Sequence, residues 1–167
     1  MSQPLLAPPP LITLPTDAIL ASARNRAPDF VVKRSDGEYL RRWWIVPRND
    51  QFNIYLHQFV QDDDDRALHD HPWHSASIGQ IGGYDELLPN DMTVTRLPGD
   101  LIYREPEHAH RVRLFRDAQG QPIEAWTLFI TGPRVRQWGF HCPKGWVHWE
   151  QFTAANDPGA VGKGCGE

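Results

Sequence analysis

The chain has 167 residues, with 17 Lys and Arg against 21 Asp and Glu, and a formal net charge of −4 at pH 7. That length suits one domain, and so mild a charge gives no electrostatic footprint for nucleic acid or an anionic membrane surface. Fifteen prolines, 13 glycines, seven Trp, seven Phe and four Tyr suit short strands joined by turns.

Residues 1–15 are apolar but interrupted by Pro4, Pro8, Pro9, Pro10 and Pro15. They hold no basic leader and no unbroken apolar run, so neither a signal peptide nor a membrane span is predicted and the expected compartment is the cytoplasm. This arm is expected to be extended or disordered. Thr16 or Asp17 caps a short predicted helix that runs to Asn25, with Ile19, Leu20 and Ala23 as its apolar stripe. Pro28 ends it.

Short strands follow. They are predicted from Phe30 to Lys33, Tyr39 to Val46, Phe52 to Val60, Ser75 to Ile81, Tyr84 to Leu88, Met92 to Leu97 and Leu101 to Tyr103. Further strands are predicted from His108 to Phe115, Ala125 to Ile130, Val135 to Phe140 and Trp146 to Phe152. Turn signals separate them, among them Ser35-Asp36-Gly37, Pro89-Asn90-Asp91 and Pro98-Gly99-Asp100. From Ala154 the sequence is small, polar and Gly-rich, and a flexible tail is predicted. Two cysteines, Cys142 and Cys165, make no disulfide framework, which fits a reducing compartment. The organisation expected is a Pro-rich arm and helix over residues 1–28, a β-barrel over 29–153 and a tail over 154–167. Short strands at regular turn spacing predict an all-β, single-domain antiparallel barrel or jelly roll with a short N-terminal helix.

The chemistry concentrates in His69-Asp70-His71-Pro72-Trp73-His74. On a strand, residues two apart share a face, so His69 and His71 can reach one point in space. A hydrogen-bonded turn is the plain alternative, since Asp, Pro and His all suit turns. His110 is the candidate third ligand, 39 positions beyond His71. Three imidazoles around a divalent ion leave positions open for water, substrate or dioxygen, which is a catalytic layout.

Other residues carry open readings. His74 follows Pro72, which breaks the strand parity, so it is a candidate fourth ligand, a group behind the ligands or a surface residue. His108 shares a face with His110 and reads as a residue at the mouth or behind the ligands. Asp70 points away from the two histidines and either orients a neighbour or faces solvent. Tyr103, Trp126 and Arg134 are candidate pocket residues, with packing or surface roles as the alternative. His57 reads as a sheet histidine. Asp62 to Asp65 lack the spaced, Gly-containing pattern of a calcium loop and read as a solvated loop.

The stretch from His69 to His110 resembles a cupin, a family of small β-barrel metal enzymes and binding proteins. His69 and His71 match the His-x-His of the first cupin motif, and Gly82 or Gly83 falls where its glycine belongs. The acid between them is missing, its slot occupied by Ser75 or Ala76. Gly99 and His110 open and close the second motif. Its proline is one place late at Pro106, Glu107 replaces its inner glycine and Leu114 its final asparagine. The resemblance thus implies a cupin that has lost the acidic ligand and kept a three-His metal site. His-Asp-His-Pro followed by His74 is similar to the cysteamine-dioxygenase-like branch of the thiol dioxygenases, over that short run alone.

The resemblance implies one divalent metal per chain, Fe(II) first, with Zn, Ni or Mn as alternatives. It implies a non-haem Fe(II) dioxygenase that brings O2 to a small organic substrate, thiol or anionic. A metal-dependent isomerase, lyase or hydrolase on the same scaffold, and a small-ligand-binding cupin without catalysis, are the competing readings. A homodimer is expected, because an open barrel leaves strand edges to cover. Nucleic acid and membrane are not expected as partners.

Overall fold

The computed structural model describes residues 16–34, 37–63, 67–155 and 157–166, with the side chains of 16 and 157–161 left aside. The Pro-rich arm expected over residues 1–15 lies outside the described residues. The fold is all-β with a short N-terminal helix. Helix α1 spans Thr16–Arg24, followed by β1 (Phe30–Arg34), β2 (Gly37–Trp44), β3 (Asn53–Phe59), β4 (Leu68–His69), β5 (Ser75–Ile81), β6 (Tyr84–Leu87) and β7 (Thr93–Arg96). The second half contains β8 (Leu101–Arg104), β9 (Arg111–Leu114), β10 (Ala125–Thr131), β11 (Gly139–Cys142), β12 (Gly145–His148), a single-turn α2 (Trp149–Phe152), β13 (Thr153–Ala154) and β14 (Asp157–Val161).

A six-stranded antiparallel sheet in the order β1-β2-β3-β10-β5-β8 forms one layer. Two three-stranded sheets, β7-β6-β9 and β12-β11-β4, lie apart from it in the pairing order. Reciprocal backbone bonds between His69 and His110, both 2.9 Å, stitch β4 to the start of β9 and join these two sheets at a seam. Leu40, Phe59 and Ala125 of the large sheet pack against Tyr84, Val112 and Leu114 of β6 and β9, closing one end of the barrel.

The central strands are covered on both sides. Antiparallel register sets Arg42 opposite His57 and His57 opposite Thr127, so these side chains share the interior face. Leu56 and Trp43 take the other face, where Leu20 and Ala23 of α1 pack on them together with Trp126. The apolar stripe read from Ile19, Leu20 and Ala23 is therefore the docking face of the helix, and it sits outside the barrel.

Turn chemistry follows the residues. Asn90 and Asp91 adopt positive φ (60° and 57°) in the β6–β7 hairpin, the conformation that tight hairpins require and Asn and Asp tolerate. Gly82 has φ 71°, and a Cβ there would meet the Glu124 carbonyl oxygen at 2.2 Å, so the turn after β5 admits no side chain.

The C-terminal region departs from expectation. Val135 to Trp138 form no strand; pairing begins only at Gly139, where β11 meets both β12 and β4. The stretch from Trp146 splits into β12 and α2, because the His148 side chain accepts the Glu150 N–H and starts a helical turn. The tail expected to be flexible from Ala154 onward instead pairs as β13–β14. It is also bound covalently, for Cys142 and Cys165 form a disulfide with Cα atoms 5.4 Å apart. The two cysteines, expected to make no disulfide framework, are thus paired, which removes the support they gave to a reducing compartment. Two cysteines distant in sequence meet because Phe152, packed with Ala67 and Cys142, anchors the region between them. No helix among the described residues is long and apolar enough to cross a membrane.

The bridge closes a loop across a sequence separation of 23 residues. Replacing both cysteines by serine is expected to lower stability by roughly 3 kcal/mol, the loop-entropy scale for such a span. Urea unfolding of the variant, and of the parent chain with and without reductant, measures it.

Candidate metal centre

His69, His71 and His110 come together from three different backbone settings. His69 ends β4, His110 bridges it through the seam, and His71 lies beyond the strand with its N–H bonded to the Pro106 carbonyl (3.0 Å). The two-residue parity expected of one continuous strand is thus replaced by a strand end and a turn, and the rings still converge. The His69 ring centroid is 5.0 Å from that of His71 and 4.9 Å from that of His110. One ligand nitrogen from each lies within 4.8 Å of the others. His71 Nε2 and His110 Nε2 are 2.9 Å apart. Two imidazole nitrogens bound to one ion at about 2.1 Å, at right angles, lie about 3.0 Å apart.

A carboxylate sets the tautomer. Glu86, fully buried on β6, receives His110 Nδ1 at 2.8 Å and His108 Nε2 at 3.3 Å on Oε1. Arg104 Nε reaches the same oxygen at 2.7 Å, and Arg96 binds Oε2 through Nε and Nη2 at 2.7 and 2.6 Å. Burial opposes ionisation of Glu86, but the hydrogen bonds from His108 and His110 and the Arg104 charge outweigh it and hold the carboxyl well below its usual range. An ionised carboxylate only accepts, so His110 Nδ1 carries the hydrogen and Nε2 keeps its lone pair toward His71. Burial pushes His110 down to about 3 against the opposing bond to Glu86. Burial, then the neighbouring His69 and His110, then Arg104 and Arg42, hold His71 well below its ordinary value. Both rings are neutral, which is the ligand form.

Asp63 stands behind His69, its Oδ2 3.8 Å from His69 Nδ1. It accepts the Tyr39 hydroxyl and the Val112 N–H, the latter at 2.6 Å. Asp62 accepts the Leu114 N–H at 2.8 Å. Of the acidic run read as a solvated loop, these two residues instead serve the edge of β9, where strand pairing ends and buried amides need acceptors.

Asp70 is buried, not solvent-facing. Its carboxylate accepts the Gly139 N–H (2.8 Å) and the Trp146 indole (2.9 Å), with Arg136 and His141 each at 3.1 Å. It therefore pins β11 and β12 beside the histidines. The three histidines line a cavity of about 320 Å³ whose wall also includes Arg42, His57 and Phe129.

The remaining candidates take other places. His108 reaches Glu86, behind the ligands. His74 is exposed, its Nδ1 2.7 Å from the Tyr103 hydroxyl and 2.9 Å from Glu105, and it does not join the three-His group. Tyr103 is 61% exposed, pointing out from β8, because alternation along the strand gives the inward position to its neighbour Arg104. Trp126 is buried on the outer face, stacked on Trp43 at 5.4 Å beneath α1, and does not line the histidine cavity. Arg134 is exposed and bonded to Gln137 and the Arg136 carbonyl. Sequence reasoning missed Glu86. Its signal was the alternation in Tyr84-Asp85-Glu86-Leu87, which sets Glu86 on the same inward face as Tyr84.

No family model matches the chain, and no curated protein does. Solved structures similar to it include the DMSP lyase DddQ of Ruegeria pomeroyi DSS-3, at 12% identity and TM-score 0.48, covering 70% of this chain and 55% of that one. The chain thus spans about half the length of that lyase. Fe(II) HppE is similar at 13% identity and TM-score 0.49, covering 61% of this chain and 54% of that one. A cupin superfamily protein of Desulfitobacterium hafniense DCB-2 is similar at 13% identity and TM-score 0.43, covering 56% and 77%. Likeness at this level assigns no reaction and no ligand.

Glu86→Gln keeps an acceptor for His110 but leaves Arg96 and Arg104 without their counter-charge. The variant is expected to lose about 3 kcal/mol or more of stability and to hold a divalent ion roughly 10–100-fold more weakly. The depressed folded value means that the carboxylate stabilises the fold above its ordinary value of 4.5 and that this is lost as pH falls. The acid limb of a melting-temperature profile should therefore be shallower in the variant than in the parent chain.

Proposed function

We propose that this chain is a metal-dependent cupin enzyme, a non-haem Fe(II) dioxygenase acting on a small organic substrate, thiol or otherwise anionic. The reading is carried by one observation: three histidines, with no carboxylate in their group, converge at the wall of a cavity large enough for a small molecule. His69, His71 and His110 would hold the ion. Fe(II) bound there supplies the oxidising chemistry, oxygen from O2 entering the organic substrate.

The protein's own residues do the rest. Glu86 holds the His110 proton on Nδ1, which keeps Nε2 free and the ring fixed. Neutral imidazoles would leave the charge of a divalent ion uncompensated, and the site would favour a substrate bearing an anionic group. Phe129, 6.1 Å from His71 between ring centroids, and Phe140, 6.1 Å from His69, set apolar rings beside the centre in the cavity wall. Such walls exclude water and strengthen the electrostatics of what binds. The open cavity also favours substrate handling over a filled, purely structural barrel.

Elemental mass spectrometry on untagged protein purified without oxygen tests the reading. The expected result is close to one iron per chain, lost in a His69→Ala, His71→Ala, His110→Ala variant, and O2 uptake with a panel of small thiols and carboxylates. Zinc or nickel in place of iron would move the assignment to hydrolase, lyase or isomerase chemistry. No metal in the parent chain would sink it.

A further inference from the structure

The interior of the barrel holds a cation that the metal centre does not use. Arg42 lies on β2 in the cross-strand row Arg42, His57, Thr127, Gly79, and it lines the same cavity as the three histidines. Its Nε donates to His57 Nε2 at 2.9 Å, and its guanidinium carbon sits 4.9 Å from the Tyr55 ring centroid. Among the described residues no carboxylate pairs with it, and its two terminal nitrogens find no acceptor. The two acids near the cavity are engaged elsewhere: Glu86 by Arg96, Arg104 and two histidines, Asp63 by Tyr39 and the Val112 amide. Burial pushes the Arg42 value down to about 10, still far above neutrality, so the group is charged without a counter-ion.

Arg42 is half-buried, in the cavity wall; a charge held there without a partner is costly, and a fold that served only stability would replace it. The orientation is informative as well. With Nε spent on His57, the free end of the fork offers two parallel N–H groups, the pattern that takes a planar carboxylate through two bonds. A path of rings leads from there to the metal centre: His57 stacks on Phe129 at 4.9 Å, and Phe129 lies 6.1 Å from His71.

We propose that the cavity takes a small molecule bearing a carboxylate, anchored end-on by the terminal nitrogens of Arg42, while the rest of the molecule extends along Phe129 toward His69, His71 and His110. This rests on the metal-dependent reading for what happens at the far end of the ligand, but not for the anchor itself. Val32, Leu40 and Phe59, which also line the cavity, suit an apolar body behind the carboxylate.

Isothermal titration with benzoate, its neutral isostere benzamide, and inorganic phosphate tests the anchor without turnover. The proteins are the parent chain, Arg42→Met, Arg42→Lys and the triple histidine variant. Benzoate is expected to bind the parent and the triple variant, and to bind Arg42→Met roughly ten-fold or more weakly, the scale of hydrogen bonds to a charged group. Arg42→Lys should recover part of the loss, since it returns the charge without the fork. Metal content should be unchanged in both Arg42 variants, which shows that the fold and the centre survive. Benzoate affinity indifferent to Arg42, benzamide equal to benzoate, or binding of phosphate alone would each overturn the anchor. Arg42-dependent benzoate binding in a chain that holds no metal would leave the anchor standing and remove the metal reading. Metal retained with no benzoate bound would do the reverse.

Discussion

The buried carboxylate of Glu86 is the contact on which the rest of the site depends. It has no exposure to water, and it is ionised only because two guanidinium groups and two imidazoles surround it. The partners come from three places in the chain: Arg96 from β7, Arg104 from β8, and His108 and His110 from the approach to β9. One side chain therefore ties the small sheet to the edge of the large one and fixes the tautomer of a candidate ligand. Such a cluster is intolerant of partial loss, since any removed partner leaves a buried charge behind.

The seam between the small sheets shows the same use of acids in place of strand pairing. Among the described residues, His69 and His110 exchange reciprocal backbone bonds there, and the Asp63 N–H donates to the Val112 carbonyl. Beyond that pair, Asp62 and Asp63 turn their carboxylates to the amides of Leu114 and Val112. Asp70 does likewise for Gly139 and the Trp146 indole. Carboxylates thus flank the three histidines on both sides without entering their group. They hold backbone in place, and the imidazoles are left as the only donors in that group.

The barrel interior is a compromise between packing and access. Apolar contacts close the end lined by Tyr84, Val112 and Leu114, and the outer face is sealed by α1. Between them the inward row of Arg42, His57 and Thr127 is polar, and a cavity remains. The disulfide and the β13–β14 pairing restrain the segment that places Phe152 and Thr153 at the cavity wall.

Much of this was legible in the order of residues. Turn signals and alternating patterns determine short antiparallel strands, because the backbone preferences of Gly, Pro and Asn-Asp are local. His69, His71 and His110 mark a candidate centre, since few packing roles need imidazoles so spaced. What local sequence leaves open is which distant groups meet. The face of β3 that looks inward, the neighbours of Asp70, the partners of Glu86 and the bonding of Cys142 to Cys165 all follow from register and from long-range packing. The same limit misplaced Tyr103, Trp126 and Arg134, whose residue types suit a pocket but whose strand parity or loop position turns them away from it. Residue chemistry by itself determined that a candidate set of imidazole ligands is available. The tertiary structure alone decided which side chains share its cavity, because burial and charge pairing are properties of the assembled sheets and not of any segment.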